Sequence, residues 1–327
     1  MFKLRELKPE GPARLQDALC ANCASSVMNA ALARVAAALL VLTFLDDGLR
    51  EWRSFSEQIG YLTSPANNIE LSWGAAALYV TFSLCAQLGG SVVILGCALL
   101  SPGALTPRAG PPDRRDFGLR RRARAAELAL AVFVASAIVV YGVGQPASQH
   151  AQGRLVFILR NLGILGGVVL LLAEGDAHAG RRAALQLAAR LLLAAHGLEV
   201  APAESWLALS LADLLALPPT ALLAAGLRTR EAAAALAVLL AVSDLGLNHY
   251  WYGFRYNDNI RYYFFEDCSI IGGLLLLAAT TGGAPHALSL DAWRERQLQL
   301  RGGAAADEQR RLMDEELDLG EADPDDE

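Results

Sequence analysis

The segment from Leu71 to Leu100 contains thirty consecutive residues without one charged side chain. An α-helix rises ~1.5 Å per residue, so about 20 apolar residues cross the ~30 Å hydrocarbon core of a bilayer. The whole chain suits that environment, because 54% of its 327 residues are hydrophobic and only 19% are charged. These values argue against a soluble globular fold and predict a membrane protein.

Loops with proline, glycine or charged residues separate eight apolar segments along the chain. The segments are 27–49, 71–100, 126–145, 154–174, 183–200, 204–227, 231–252 and 263–281. We predict an all-α, polytopic transmembrane helical bundle of about eight spans. Six or seven spans remain an alternative, since the fifth segment is short and contains Arg190 and His196. This domain, 29–285, is expected to lie between a cytosolic segment, 1–28, and a cytosolic, acidic, disordered tail, 286–327.

The basic residues predict the orientation, because lysine and arginine in short loops favour the cytosolic side of a membrane. With eight spans, twenty of the 28 basic residues fall on one side, including seven arginines from Arg108 to Arg124. Both termini are then cytosolic, and the arginine-rich loop is placed to contact anionic membrane lipids. The net charge of −6 gives no nucleic-acid footprint.

Two stretches of the sequence resemble each other, 161–173 and 267–279, and so pair the fourth span with the eighth. Arg34 ahead of 43–48 is similarly placed to Arg190 ahead of 194–199, which pairs the first span with the fifth. A duplicated four-helix unit explains both pairs. Chance similarity among leucine, alanine and glycine is the alternative.

Two polar residues stand near the middle of apolar segments, Gln87 in the second and Asp213 in the sixth. A polar or charged group in lipid is costly, so each is expected to face other helices or a cavity. One interpretation is a hydrogen bond that only holds the bundle together, and the other is a binding role.

Charged and aromatic residues cluster where two spans meet the noncytosolic side. The first cluster comprises Asp46, Asp47, Arg50, Glu51 and Trp52. The second lies within 248–267, and its candidate residues are Tyr250, Trp251, Tyr252 and Arg255. Helical spacing lets Asp46 or Asp47 meet Arg50. Rigid aromatic side chains with charged neighbours suit peptide binding, although an interfacial aromatic belt has the same composition.

The sequence contains no motif of a catalytic or cofactor-binding site, such as a serine elbow, H-E-x-x-H, P-loop or dinucleotide turn. The five histidines are scattered along the chain and do not form a metal-binding pattern. We therefore expect neither an enzyme nor a bound cofactor or metal.

Four stretches carry a recognisable pattern: 43–52 with 56–58, then 87–90, then 157–174, and finally 263–265 with 270–277. In this order they resemble the surfeit locus protein 4 family, over about 30–285. The resemblance implies a receptor that binds soluble secretory cargo by an N-terminal peptide in the lumen of the endoplasmic reticulum (ER) and loads it into COPII vesicles. It also implies location in the ER membrane, the ER-Golgi intermediate compartment and the Golgi. The family-motif residues are Asp46, Asp47, Arg50, Glu51, Arg160 and Asn161.

The tail departs from the family pattern, because many members end in a dilysine signal for return by COPI coats and this chain has no lysine after Lys8. Arg294 and Arg296 resemble an arginine-based retrieval signal, and Asp314 and Glu316 resemble an acidic export signal. A homo-oligomer is compatible with the sequence. The main alternative function is a small-molecule or lipid transporter, which also uses internal repeats and a buried Asp213. A membrane subunit of an oxidoreductase is the third.

Overall fold

The computed structural model describes residues 12–65, 70–100, 114–143, 151–176, 178–197, 211–247 and 258–281, with 290, 292–293 and 297–299. These residues form ten α-helices: α1 (Pro12–Arg53), α2 (Phe55–Leu62), α3 (Trp73–Leu84), α4 (Gly90–Leu100), α5 (Arg114–Ala137), α6 (Ala151–Glu174), α7 (Ala179–His196), α8 (Leu211–Ala225), α9 (Thr229–Leu247) and α10 (Asp258–Thr280). A π-helical turn, Cys85–Gly89, joins α3 to α4, and a second, Ile138–Val143, extends α5. The predicted all-α class is confirmed, and each of the eight apolar segments overlaps a helix.

Five of the described helices are long and apolar enough to cross a membrane: Met28–Arg53, Trp73–Leu99, Gly118–Gly142, Arg154–Glu174 and Arg261–Thr280. By comparison, α8 has only 15 residues, whereas α7 and α9 each contain three charged side chains. Large apolar side chains such as Leu78, Val132 and Val238 are exposed on the outside of the bundle. Lipid accounts for that surface better than water does. The chain is a polytopic membrane protein.

Glycines let the central helices approach closely. A Cβ atom on Gly272 of α10 would lie 2.5 Å from the backbone nitrogen of Leu40 in α1. A Cβ atom on Gly166 of α6 would lie 2.9 Å from the backbone nitrogen of Leu193 in α7. Without a hydrophobic driving force between helices in lipid, such close backbone packing is a main source of association.

The two halves of the chain make equivalent contacts. Helix α6, which ends the first half, packs on α7, which begins the second, and α10, which ends the second, packs on α1. Where α6 and α10 meet, a Cβ on Gly167 would lie 3.2 Å from the α-carbon of Gly273. These two glycines are equivalent in the predicted repeat. These contacts support the predicted duplication of a four-helix unit, in which the last helix of each half packs on the first helix of the other half.

The structure supports α1 and α7 as corresponding helices of the predicted repeat. The residue-by-residue alignment predicted between them is wrong. Gly272 faces Ala36, Leu39 and Leu40, whereas the equivalent Gly166 faces Ala189, Leu192 and Leu193. Both sets of residues have the same spacing, so Ala36, Leu39 and Leu40 correspond to Ala189, Leu192 and Leu193. In this alignment Arg190 corresponds to Ala37. The similarity of Arg34 to Arg190 is thus coincidental, because it came from charge and not from the small residues that make the contacts.

Candidate functional site

A cavity of about 900 Å³ lies where α1, α2 and α10 meet the second, third and fourth predicted spans. Three of its residues, Thr43, Asp47 and Glu51, recur every four positions in α1 and so share one face of that helix. The other lining residues are Phe44, Arg50, Glu57, Gln58, Tyr61, Ser83, Gln87, Phe133, Ala137, Tyr141, Arg154, Phe157, Asn161, Ile164, Tyr262 and Glu266. The volume is in the range of sites that hold small ligands.

The carboxylate of Glu51 is the centre of a buried hydrogen-bond network between α1 and the second span. The Ser83 hydroxyl donates to Glu51 Oε2 over 2.6 Å, and the Gln87 amide nitrogen donates to the same oxygen over 2.8 Å. Gln87 also donates to the Ser83 hydroxyl oxygen over 2.8 Å. All three side chains are buried. In a low-dielectric interior such linked hydrogen bonds strengthen one another and fix the carboxylate in place.

Both π-helical turns contribute to the wall of the cavity. Gln87 lies in the turn Cys85–Gly89, and Tyr141 lies in the turn Ile138–Val143. A π turn inserts an extra residue into a helix and occurs frequently at functional sites. Tyr141 stacks on Tyr61 of α2 with 6.1 Å between ring centroids, so this turn also holds α2 over the cavity.

Arginines neutralise most of the carboxylates near the cavity. Arg50 lies 3.2 Å from Asp47, and Arg261 of α10 is paired with Asp46. Arg160 of α6 lies 3.3 Å from Glu266, whose side chain is only 1% exposed. These pairs hold α10 against α1 and α6. They also position Tyr262, whose ring lies 5.1 Å from the Arg50 guanidinium.

The residues predicted for the site separate into three groups. Asp47, Arg50, Glu51, Gln87 and Asn161 come together around the cavity, and Asp46 and Arg160 form ion pairs beside it. Trp52 is 68% exposed and lies outside the cavity. The predicted residues outside the described part of the chain are Tyr250, Trp251, Tyr252, Arg255, Arg294, Arg296, Asp314 and Glu316; Asp213 lies in α8, but its side chain is not described.

Sequence reasoning missed several residues that the fold brings to the cavity. Ser83 could have been found from its spacing of four before Gln87, which puts both on one helical face. Glu266 and Tyr262 belong to the second predicted cluster but were not singled out. No sequence signal indicated Tyr61 or Tyr141, because their contacts depend on the short helix α2 and on a π turn.

A second charged cluster lies at the opposite end of the bundle, after α6. Arg181 and Arg124 lie 3.1 and 3.2 Å from Asp176 Oδ2, and the backbone N–H of His178 donates to Oδ1 over 2.8 Å. That backbone hydrogen bond, followed by the two guanidiniums, holds the pKa of Asp176 below its ordinary value. The cluster connects α5 to α7.

The described residues of the cavity combine a buried carboxylate, amide and hydroxyl oxygens, and aromatic walls. This arrangement suits a ligand with a positive group attached to apolar groups. No group of three or more histidine, cysteine, aspartate or glutamate side chains in the described residues is placed to hold a metal ion.

Known proteins resemble this chain in sequence. The model of the SURF4 family matches residues 118–296. A Surfeit locus protein 4 homolog of Drosophila melanogaster is 26% identical over 280 residues, covering 80% of this chain and 88% of the relative. The ER-derived vesicles protein ERV29 of Saccharomyces cerevisiae is 25% identical over 260 residues, covering 75% and 72%.

A Surfeit locus protein 4 homolog of Schizosaccharomyces pombe is 26% identical over 266 residues, covering 75% of this chain and 76% of the relative. No solved structure matches the chain. The family model covers more than half of the chain and extends from α5 beyond α10. The chain therefore belongs to the SURF4 family.

Proposed function

We propose that this chain is an ER-to-Golgi cargo receptor that binds soluble secretory cargo in the ER lumen and promotes its packaging into COPII vesicles. Membership of the SURF4 family supports this function, as does the name of the yeast relative, an ER-derived vesicles protein. The observation that carries the proposal is the cavity of about 900 Å³, which combines acidic and aromatic side chains at one end of a membrane bundle.

The orientation follows from charge. Arg124, Arg181 and Arg182 lie at the end of the bundle opposite the cavity, where they surround Asp176. Arginines favour the cytosolic side of a membrane, so the cavity end is luminal and both termini are cytosolic. The protein is a multi-pass protein of the ER membrane, the ER-Golgi intermediate compartment and the Golgi. In this orientation its cavity faces secretory cargo in each of these compartments.

In this proposal the cargo contributes an N-terminal peptide that enters the cavity beside Asp46, Asp47, Arg50 and Glu51. Trp52, Tyr250, Trp251, Tyr252 and Arg255 supply contacts around the entrance. The cytosolic tail, with Arg294, Arg296, Asp314 and Glu316, contacts COPII coats on export and COPI coats on return. Binding and release are sufficient for this role, and no catalytic step is required.

The test compares secreted proteins in cells that lack the chain and in cells that express variants. Loss of the chain should retain a defined set of secreted proteins in the ER, and the wild type should restore their export. Ala137→Phe places a ring into the cavity and should not restore export. Ala75→Phe makes the same change at an exposed position of α3 and should restore it. An unchanged secretome on loss of the chain would refute the receptor function.

A further inference from the structure

A charged cluster lies at the end of the bundle opposite the cavity, where Asp176 holds three arginines side by side. Arg124 of α5 and Arg181 of α7 lie 3.2 and 3.1 Å from Asp176 Oδ2. Arg182 of α7 donates from two of its nitrogens to the backbone oxygen of Asp176. Asp176 therefore fixes these guanidiniums in place, although one carboxylate cannot neutralise three positive charges.

Positive charge exceeds negative charge in this cluster. Arg121 lies three residues before Arg124, on the same side of α5, and has no side-chain ion pair or hydrogen bond with the described part of the chain. A second carboxylate, Glu174 at the end of α6, accepts a hydrogen bond from Gln186 and interacts with the charge of Arg182. Among these side chains four arginines accompany two carboxylates, so two positive charges remain in excess.

The arginines of the cluster retain donors for a ligand. A guanidinium has five N–H donors, and the side chains of Arg124 and Arg181 remain 42% and 60% exposed beside Asp176. Arg121 is exposed as well. The planar fork of a guanidinium fits two oxygens of one phosphate group. A phosphomonoester carries about −1.5 to −2 charges at pH 7, which matches the excess positive charge of the cluster.

The position of the cluster favours a membrane lipid as the source of the phosphate. The apolar span of α5 begins at Gly118 and the span of α6 ends at Glu174, so the arginines lie at the boundary between bilayer and water. Basic pockets between helices at the cytosolic boundary bind phosphorylated lipid headgroups. Arg121 lies about 4.5 Å further toward the water than Arg124, because a helix rises ~1.5 Å per residue. The positive charge thus extends outward from the bilayer, as do the two phosphates of a phosphoinositide, whereas phosphatidic acid has only one.

We propose that Arg121, Arg124 and Arg181 bind the headgroup of a phosphoinositide in the cytosolic leaflet. Arg124 and Arg181 contact the phosphate nearer the bilayer, and Arg121 contacts the phosphomonoester on the inositol ring. Asp176 positions Arg124 and Arg181 and does not itself contact the lipid. This inference uses the orientation proposed above and goes beyond the receptor function, because it involves neither the cargo nor the cavity.

Arg122 separates this site from a general attraction between arginines and an anionic membrane. It is exposed and lies in α5, as Arg121 does. With 3.6 residues per turn, Arg122 lies about 160° around the helix from Arg124, whereas Arg121 lies about 60° from it. Substitution of Arg122 therefore removes the same charge at nearly the same depth, but from the side of α5 that faces away from Asp176.

The experiment titrates the full chain in detergent with short-chain lipids and measures affinity by calorimetry. The probes are dioctanoyl phosphatidylinositol 4-phosphate, dioctanoyl phosphatidylinositol, dioctanoyl phosphatidic acid and the free headgroup inositol 1,4-bisphosphate. The wild type should bind phosphatidylinositol 4-phosphate at least tenfold more tightly than each of the other three. Equal binding of phosphatidylinositol or of phosphatidic acid would overturn the phosphoinositide site. Equal or tighter binding of the free headgroup would show that the ligand is a soluble inositol phosphate and would overturn the lipid.

Variants then locate the site. Arg121→Gln and Arg181→Gln should each weaken binding of phosphatidylinositol 4-phosphate at least fivefold, whereas Arg122→Gln should change it less than twofold. Equal losses in Arg121→Gln and Arg122→Gln would show that binding is general attraction by charge and would overturn the site.

The comparison of the four probes needs no variant, so it decides the inference even if Arg181→Gln does not fold. The titrations contain no cargo and do not involve the cavity. Failure of the lipid site would therefore leave the receptor function intact, and an unchanged secretome on loss of the chain would leave the lipid site intact.

Discussion

Arg160 and Glu266 occupy equivalent positions in the two halves of the chain, and they are joined to each other by an ion pair of 3.3 Å. In a duplicated four-helix unit, a contact between equivalent positions lies on the axis that would relate the two halves. Gly167 and Gly273 form a second contact of this kind, two helical turns further along α6 and α10. Helices α6 and α10 are therefore joined by charge at the cavity end and by close packing in the centre.

Removing Arg160 should destabilise the protein more than removing Glu266. Arg160 lies 3.3 Å from both Glu266 and Asp267, so Arg160→Gln leaves two buried carboxylates without this partner. We expect a loss of about 3–5 kcal/mol in the free energy of unfolding. Glu266→Gln leaves Arg160 paired with Asp267 and should cost about 1–3 kcal/mol. Thermal unfolding of both variants in detergent measures the order, and the reverse order would contradict this account of the axis.

Gly272→Ala should lower stability because the added methyl group meets backbone. Its Cβ would lie 2.5 Å from the Leu40 nitrogen and 2.6 Å from the Ala36 oxygen. Separation of α10 from α1 should cost about 1–3 kcal/mol or more. Gly96→Ala is the matched control, since nothing lies within 4 Å of the added atom. That variant should be neutral or gain about 0.5–1 kcal/mol from helix propensity. Similar melting temperatures for both variants would refute the close contact.

Asp176 should make stability depend on pH in acid. Because its pKa is lower in the folded protein than its ordinary value of 3.8, its contribution is complete above 3.8. The contribution is lost as the pH falls from there through the folded value. Asp176→Asn should therefore lower the free energy of unfolding at pH 7 by on the order of 1 kcal/mol, because Arg124 and Arg181 are partly exposed, and should melt at a lower temperature than wild type. The two melting curves should converge in strong acid; a constant difference would show that ionisation is not the cause.

Two introduced cysteines test the orientation. A cysteine at Ser64 follows α2 at the cavity end and should react with a membrane-impermeant thiol reagent only from the luminal side. A cysteine at Thr106, which precedes the arginines at the start of α5 in the sequence, should react only from the cytosol, because translocation of those arginines is unfavourable. Labelling of both positions from the same side would refute the proposed topology.

The helices of the bundle were predictable from sequence because a helix in lipid needs a long apolar segment, as in 71–100 and 154–174. The pairing of α6 with α10 was also predictable, since both carry the Gly-Gly pair that their packing needs. The residue-by-residue alignment of α1 with α7 was not predictable. It depends on alanines and leucines that occur throughout the chain, so the more distinctive arginines gave a false match.

The sequence predicted only part of the site. The i, i+3 contact between Asp47 and Arg50 follows from helical spacing and is present at 3.2 Å. Gln87 was expected to meet a neighbouring helix or line a cavity, and it does both, with Glu51 as its partner. That partner could not be predicted, because Glu51 lies in a different helix and the π turn Cys85–Gly89 interrupts the helix that carries Gln87. Sequence periodicity assumes regular helices and does not detect such a turn.

The packing of α10 on α1 has a consequence for the order in which the cavity forms. The cavity takes Glu51 from α1, the first of the ten described helices, and Tyr262 and Glu266 from α10, the last of them. Until α10 is inserted, Asp46 and Arg160 lack their partners Arg261 and Glu266. The ion pairs of Asp46 and Arg160 with α10 therefore form only once α10 has packed against α1 and α6.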